Sequence, residues 1–321
     1  MTYVLAVHGG AGVIAGDTAQ EPYHAGLRAA LAAGGAVLRA GGSAVAAVAA
    51  AVAALEDCPL FNAGRGAVFT ADETHELDAG IMDGATLRAG ALAGARHIRN
   101  PILAANAIMD DGRFVLLAGA GADRFAADAG LARVDNGYFS TPQRHAQLLG
   151  VRGLDPDSTA LDHSAPEVAL RDARRFGTVG AVALDAAGNL AAATSTGGMT
   201  NKRPGRIGDT PLVGAGVYAN NASCAVSATG TGEHFIRACV AHDIHARMAY
   251  GGHGVARAAH DCIGGPLADL GGEGGVIALG RDGTLAMPFN SRGMYRGWLR
   301  DDAPAQTRIF REDEDRPALA P

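Results

Sequence analysis

The feature that most constrains this chain is an abrupt change of text just past its middle. Before Gly177 the sequence is polar, carries Ala, Asp and Pro, and has no strong period. From Thr178 it runs Thr178-Val179-Gly180-Ala181-Val182-Ala183-Leu184-Asp185, an apolar, strand-like stretch. Residues 190–195 form a second strand, and Ala186-Ala187-Gly188-Asn189 between them reads as the turn of a hairpin. A threonine that opens a strand is ordinary in itself, because threonine is a good strand residue. Its meaning depends on its surroundings.

Upstream, residues 3–8 read as a short buried strand ending in His8-Gly9-Gly10-Ala11-Gly12. Neither GK[ST] nor GxGxxG follows these glycines, so they read as a tight turn and not as a phosphate loop. Two helices follow, at about 23–39 and 43–56. Gly41-Gly42 stops the first, and Ser43 is the N-cap of the second. The second is so rich in small apolar residues that it must be packed on several sides. Residues 55–66 form a turn-rich loop. Residues 68–70 and 76–82 read as a strand pair, 89–93 as another strand, and 101–110 as a helix. Residues 114–119 are apolar throughout, the pattern of a strand covered on both faces. Residues 121–130 and 141–150 are helical in composition.

Over 151–176 the order signal fades, and Asp155, Pro156, Asp157, Ser158 and Pro166 suggest an exposed, cleavable linker. Strands are expected again at 214–218 and 224–228. A long helix opens at Gly232, another covers 254–263, and a hairpin closes the chain at 275–279 and 284–289. The charged run after Asp301 reads as a mobile tail without an assigned role. Blocks of helices alternate with blocks of hairpin-linked strands. That order favours a layered α+β architecture with largely antiparallel sheets over a Rossmann fold.

Composition narrows the function. With 48% hydrophobic and 19% charged residues among 321, a substantial core is available and global disorder is excluded. The count of 46 glycines against 5% aromatics favours close backbone packing. A net charge of -6 with no Lys/Arg run argues against nucleic acid as a partner. Cys58, Cys224, Cys239 and Cys262 are scattered without a CxxC, which suits reduced thiols in the cytoplasm. The N-terminus has no basic region and long apolar segment of a signal peptide. The Ala/Val run 44–55 is shorter than the ~18 residues a membrane span needs. A cytoplasmic protein with no membrane partner is therefore expected.

Two further stretches carry chemistry. In 193–209, a glycine-containing segment leaves a strand and brings Arg206 close to Asp209. An Arg fork suits a carboxylate and an Asp suits an ammonium, so the pair fits the zwitterionic end of an amino acid; a loop salt bridge is the plainer alternative. In Ser227-Ala228-Thr229-Gly230-Thr231-Gly232-Glu233, a strand end meets a helix start, where free backbone N–H groups favour an anion. No Walker lysine accompanies it, so an acyl-transfer oxyanion fits better than a phosphate. His242-Asp243-Ile244-His245 lacks the HExxH pattern and reads as a solvated helix face.

Taken in order, Gly177 to Val182, Thr194-Ser195-Thr196-Gly197-Gly198, Pro204 to Asp209 and Thr229-Gly230-Thr231-Gly232 resemble the plant-type L-asparaginase / isoaspartyl peptidase family. His8 to Gly12, Asn62-Ala63-Gly64-Arg65-Gly66 and Pro288-Phe289-Asn290 are similar too, so the likeness covers about 3–298. That family belongs to the N-terminal nucleophile hydrolases. The resemblance implies a four-layer αββα sandwich, one domain over 1–321, cut by itself into 1–177 and 178–321. It implies hydrolysis of L-asparagine and of β-aspartyl dipeptides by Thr178 as a freed N-terminal threonine. Such a residue has its own α-amine, with a reference pKa of ~7.7–8.0, as base.

The resemblance further implies that Thr196 tunes Thr178, that Thr229 and Gly230 form the oxyanion hole, and that Arg206 binds the substrate carboxylate. Asp209 and the Gly232 carbonyl would hold its amine, and Asn62 would lie near the cut. Catalysis would need no cofactor. The backbone carbonyls of Leu55, Glu56, Cys58, Phe61, Ala63 and Arg65 would bind a structural Na⁺, and αβ units would form a dimer. A glycosylasparaginase-like enzyme of the same fold is an alternative, although that class is typically secretory. A non-catalytic amino-acid-binding protein keeping the Arg206/Asp209 clamp is another. One clamp serves both asparagine and isoaspartyl peptides, so the sequence does not rank them.

Overall fold

Small residues and period-two alternation build this fold. A computed structural model describes residues 3–12, 14, 20–154, 177–301 and 303–311. The first half holds β1 (Val4–Gly12), α1 (Glu21–Arg39), α2 (Ala44–Asp57), β2 (Leu77–Asp83), β3 (Ala89–Ala95), α3 (Pro101–Asp111), β4 (Leu116–Ala118), α4 (Gly119–Asp128) and α5 (Pro142–Leu154). The second half holds β5 (Val179–Leu184), β6 (Leu190–Thr196), β7 (Val217–Ala219), β8 (Cys224–Gly230), α6 (Gly232–Ala238), α7 (Val240–Ala249) and α8 (Val255–Cys262). It closes with β9 (Gly274–Gly280), β10 (Leu285–Ala286), β11 (Gly293–Arg300) and β12 (Gln306–Arg308).

One eight-stranded sheet runs β12-β11-β1-β5-β6-β2-β3-β4, and a four-stranded sheet runs β10-β9-β8-β7. The strands pair antiparallel, except that β3 and β4 are parallel. Alternate residues of β5 go to opposite faces. Val179, Ala181 and Ala183 join one apolar cluster with Leu27, Leu31, Val48 and Val52 of α1 and α2. Val182 and Leu184 join a second with Val217, Ala225 and Ile277 of the small sheet. A third lies between the small sheet and α6–α8, through Val226, Val276, Phe235, Ile244 and Cys262. Each fully buried Val, Leu or Ile contributes about 1.5–3 kcal/mol. Ser43 caps α2 as its side chain predicts, accepting from the Ala46 N–H at 3.2 Å. Among the described residues, no helix is long and apolar enough to cross a membrane.

The structure corrects several local expectations. The glycines after His8 are not a turn: β1 continues to Gly12, with a register shift between His8 and Gly10 that keeps it paired to β11. Residues 68–70 form no strand with β2. Thr70 makes one isolated bridge to Lys202, and β2 pairs with β3 and β6. The apolar run at 114–119 is not covered on both faces. It yields a short edge strand, with Phe114 48% exposed, Val115 55% and Leu116 45%. Helix α5 reaches Leu154, so order persists past Val151; residues 155–176 of the expected linker lie outside the described residues. The long helix from Gly232 breaks at Cys239, whose φ of 46° separates α6 from α7. The hairpin of β9 and β10 does not end the fold: β11 follows and pairs with β1 inside the large sheet, and β12 borders it. Part of the expected tail is therefore a strand.

Close packing of β3 on α3 depends on Gly90. A Cβ there would lie 2.0 Å from the Ala105 carbonyl oxygen and 2.5 Å from the Met109 nitrogen, both backbone atoms. Gly90→Ala is expected to lower stability by about 1–3 kcal/mol, the range for overpacking a filled site. Thermal unfolding of the variant beside the parent chain checks this; an unchanged midpoint would contradict it.

Candidate active site

Thr178 stands at the head of β5, in the middle of the large sheet. Because Val179 pairs with Ser195, Thr178 comes opposite Thr196. The Thr178 hydroxyl donates to Thr196 Oγ1 at 3.1 Å, and the Gly198 N–H donates to that same oxygen at 3.0 Å. Both threonines are buried. On the other side of the peptide bond, the Gly177 carbonyl accepts from the Asn62 N–H at 3.0 Å. Asn62 is locked in turn. Its Oδ1 accepts from the Val68 N–H at 2.9 Å, its Nδ2 donates to the Gly198 carbonyl at 2.7 Å, and its own carbonyl accepts from Gly197. Asn62 therefore fastens the loop after α2 to the segment after β6, directly at the Gly177-Thr178 bond.

Sequence reasoning missed His8. It is fully buried, and its Nδ1 lies 3.0 Å from the Thr178 carbonyl oxygen. A carbonyl only accepts, so Nδ1 carries the proton. Burial drives the imidazole pKa down to about 3, so the ring is neutral and its Nε2 accepts. The donor is Ser227 Oγ at 2.8 Å, and Thr194 Oγ1 stands 2.7 Å beyond Ser227. This chain of bonds crosses from β1 through β8 to β6 and holds the main chain of Thr178. It needs Gly180, opposite His8, to be bare: a Cβ would sit 2.0 Å from Ser227 Oγ and 2.4 Å from His8 Nε2. The only sequence signal was a histidine at a strand end before glycines.

A small cavity brings Gly177, Thr178, Thr196, Arg206, Asp209 and Gly230 together. Arg206 does not pair with Asp209. Its Nε and Nη2 bind the two Glu233 carboxylate oxygens at 2.8 Å each, which fixes the guanidinium side-on. Glu233, in the first turn of α6, was not foreseen as a site residue. Asp209 is buried, its Oδ2 has no hydrogen-bond partner, and burial pushes its pKa up to about 7 against the pull of Arg206. Gly232 is adjacent to both, since a Cβ there would come 2.9 Å from Asp209 Oδ1 and 3.0 Å from Arg206 Nη2. At the end of β8, Thr229 is fully buried and its Oγ1 accepts from the Ala11 N–H at 3.3 Å. Gly230 follows with φ 156°, and a side chain there would meet the Glu273 carbonyl at 2.3 Å.

The loop expected to hold a cation is tightly folded. A Cβ on Gly64 would come 2.4 Å from the Glu56 carbonyl oxygen, and one on Gly66 would come 2.1 Å from that of Phe61. Arg144 braces it, donating from Nε to the Gly66 carbonyl at 2.7 Å and from Nη2 to the Leu60 carbonyl at 3.3 Å. The Leu55 and Ala63 carbonyls accept from Cys58 and Gly66, which leaves each a second lone pair. Backbone carbonyl oxygens with a lone pair to spare are the donor type that hard cations take. The Glu56 side chain has a separate task. Its Oε1 accepts from Ser195 Oγ at 2.6 Å and from the Ile102 N–H at 2.9 Å, tying α2 to β6 beside Thr196. Burial pushes the Glu56 pKa up to about 8.

The HxxH pair is not a solvated face throughout. His245 is buried, with Nδ1 2.6 Å from Ser223 Oγ and its ring 4.9 Å from that of Tyr218. No cluster of three or more His, Cys, Asp or Glu suited to a metal occurs among the described residues.

A hydroxyl beside a second hydroxyl, an Arg and an unpaired buried carboxylate in one small cavity have the makings of an amide-hydrolase site. The comparisons agree: the Asparaginase_2 family, described as asparaginase, matches residues 1–309, and the chain belongs to that family. It is 54% identical to the isoaspartyl peptidase of Escherichia coli (strain K12), over 97% of each chain. It is also 54% identical to that of Salmonella typhimurium, over 96% of this chain and 99% of the relative. The isoaspartyl peptidase/L-asparaginase of Bos taurus is 39% identical over 92% of each.

Ser227→Ala removes the proton that satisfies His8 Nε2 and leaves a buried acceptor bare. The variant is expected to lose about 1–3 kcal/mol of stability, against about zero for an isolated surface serine. Chemical denaturation measures the loss, and a change below about 0.5 kcal/mol would contradict the assignment of donor and acceptor.

Proposed function

We propose that this chain is an isoaspartyl peptidase and L-asparaginase. It hydrolyses the side-chain amide of L-asparagine and the β-peptide bond of isoaspartyl dipeptides, with Thr178 as nucleophile once the chain has cut itself after Gly177. The observation that carries the proposal is the 3.1 Å bond from the Thr178 hydroxyl to Thr196 Oγ1, in one cavity with Arg206 and Asp209. Two sets of relatives named for these two activities support the substrate class.

Self-cleavage starts with the Thr178 hydroxyl adding to the Gly177 carbonyl carbon, which the Asn62 N–H polarises. The C–N bond breaks, the nitrogen takes the hydroxyl proton, and a Gly177 ester forms on Thr178. Water hydrolyses the ester, giving a Gly177 carboxylate and a free Thr178 amine. The products are an α chain of 1–177 and a β chain of 178–321.

In the mature enzyme the Thr178 amine takes the proton as Oγ attacks the substrate's side-chain carbonyl. The Thr229 hydroxyl and the Gly230 N–H receive the oxyanion; losing one such donor typically costs ~10²–10³ in rate. The protonated amine then gives its proton to the departing nitrogen. Water resolves the acyl-threonine, releasing aspartate. Throughout, Arg206 holds the α-carboxylate by the guanidinium edge that Glu233 leaves open, while Asp209 and the Gly232 carbonyl hold the α-amine.

The order of the three apolar clusters supports a four-layer αββα sandwich of the N-terminal nucleophile type. The proposal includes a dimer of αβ units and no nucleic-acid or membrane partner, in the cytoplasm, where the four free cysteines stay reduced. It also includes a sodium ion on the carbonyls of Leu55, Glu56, Cys58, Phe61, Ala63 and Arg65. That ion would hold the loop carrying Asn62, and no catalytic step passes through it.

Thr178→Ala is expected to stay a single chain in intact-mass spectra after prolonged incubation and to lack hydrolysis. A variant that still separates into 1–177 and 178–321 would give the nucleophile's role to another residue. The pH dependence of ligand binding gives a second check. Asp209, pushed up to about 7, keeps its proton below that pH and loses it above. The stability it gains by holding that proton is complete below the ordinary Asp range near 3.8 and is lost as pH rises through about 7. Binding an ammonium needs the ionised form. The inhibition constant of L-aspartate is therefore expected to fall as pH rises from about 6 to about 8, and to flatten in Asp209→Asn. A parent profile that is already flat would remove Asp209 from the amine site.

A further inference from the structure

Of the 27 Lys and Arg residues in the chain, one is a lysine, and it is Lys202. It is fully buried, a rare place for a lysine without a close carboxylate. Among the described residues no ion pair meets it. Its Nζ donates to the Glu76 carbonyl at 2.9 Å, and the charges of Asp78 and Glu76 balance it from farther off. Its main chain is pinned on both sides, the N–H donating to the Met199 carbonyl at 3.1 Å and the carbonyl accepting from the Ala71 N–H at 2.8 Å. From there the side chain folds back under Gly198, where a Cβ would come 2.9 Å from both Lys202 Cδ and Lys202 Nζ.

Gly198 joins the two sides of the Gly177-Thr178 bond. Its N–H donates to Thr196 Oγ1, the oxygen that takes the Thr178 hydroxyl. Its carbonyl accepts from Asn62 Nδ2, and the Asn62 N–H in turn holds the Gly177 carbonyl. The turn at Gly198 has φ 84°, and a glycine there is free to rotate unless something packs against it. The Lys202 stem packs there, and its ammonium anchors the far end on Glu76.

We propose that Lys202 is a positioning residue. By holding Gly198 it keeps the Thr196 oxygen and Asn62 aligned on the bond that is cut, and afterwards keeps Thr196 aligned on the freed nucleophile. This rests on the function proposed above. A methionine would fill much of the same space, but only an ammonium draws the stem across to the Glu76 carbonyl. Arginine carries the charge on a broad planar fork, which does not fit where a slender stem and a compact head lie against a glycine. The grip on substrate is built separately: Glu233 holds Arg206, and the Gly205 N–H before it donates to Glu76 Oε2 at 2.8 Å. Loss of the ammonium therefore reaches the reacting threonine and leaves substrate binding intact.

Two measurements test this. Lys202→Met is expected to slow self-cleavage, followed by intact-mass spectra, and to lower kcat of the matured enzyme for L-asparagine. Each loss is expected to be about tenfold or more, since a misplacement of ~1 Å can cost ~10²-fold, while KM stays within about twofold. Lys202→Arg is expected to lie closer to Lys202→Met than to the parent. Parent-like rates in Lys202→Met would overturn the proposal, as would a rise in KM to match the fall in kcat, which marks general structural support. The second measurement leaves Lys202 in place. Because the chain has a single lysine, protein grown on isotope-labelled lysine gives one Cε resonance. That resonance is expected to shift by more than its linewidth between the uncut Thr178→Ala chain and the matured enzyme. An identical resonance in the two would overturn the proposal, even if Lys202→Met failed to fold. Failure of the parent chain to cut itself or to hydrolyse L-asparagine would instead sink the proposed function.

Discussion

The site depends on one constraint, that β5 is paired along both edges and covered on both faces. β1 and β6 take its backbone groups, α2 packs on one side and the small sheet on the other. Thr178 begins that strand, so its position is set by two hydrogen-bond ladders and two apolar clusters at once. His8 adds a bond to the Thr178 carbonyl, and the missing Cβ at Gly180 lets His8 and Ser227 approach. On the proposed function, a nucleophile held this way spends little free energy on orientation when it reacts.

The charges around it follow a different logic. Burying an ion is costly unless a partner meets it. Arg206 has its partner in Glu233, and the buried Lys202 ammonium donates to the Glu76 carbonyl at 2.9 Å. Asp209 lacks one: an oxygen stays bare and the carboxyl holds its proton well above the usual range. The cavity is thus one positive charge short. On the proposed function, the substrate's ammonium supplies it, while its carboxylate meets an arginine already aligned. The same fold thereby favours a zwitterion over either ion alone.

Local text revealed what local physics determines. Ser43 as a cap, the β5–β6 hairpin and the spacing of Arg206 and Asp209 were legible because each is decided by a few neighbouring residues. What depended on distant partners was not. The glycines after His8 read as a turn because nothing nearby says that β11 will pair with them. Gly293–Arg300 mixes glycine, arginine and aromatics without alternation, so a strand inside the large sheet passed unseen. The apolar run at 114–119 looked buried, yet the sheet ends beside it. Glu233 was read as part of a helix start, and its bidentate hold on Arg206 appears only once α6 faces the loop after β6. His8 acts through three strands in two sheets, an arrangement no spacing announces.

On the proposed function, the Gly177-Thr178 bond also bears on why an uncut chain should be idle. The usual account is chemical: until the bond breaks, the Thr178 nitrogen is an amide and cannot serve as base. The geometry adds a second reason. Gly177 lines the cavity that holds Arg206 and Asp209, and its Cα is packed against Asn62, where even a methyl group would come 2.5 Å from the Asn62 Cβ. On the proposed function a substrate must meet Thr178 at that wall, so scission would free the base and clear the approach to the hydroxyl in one event.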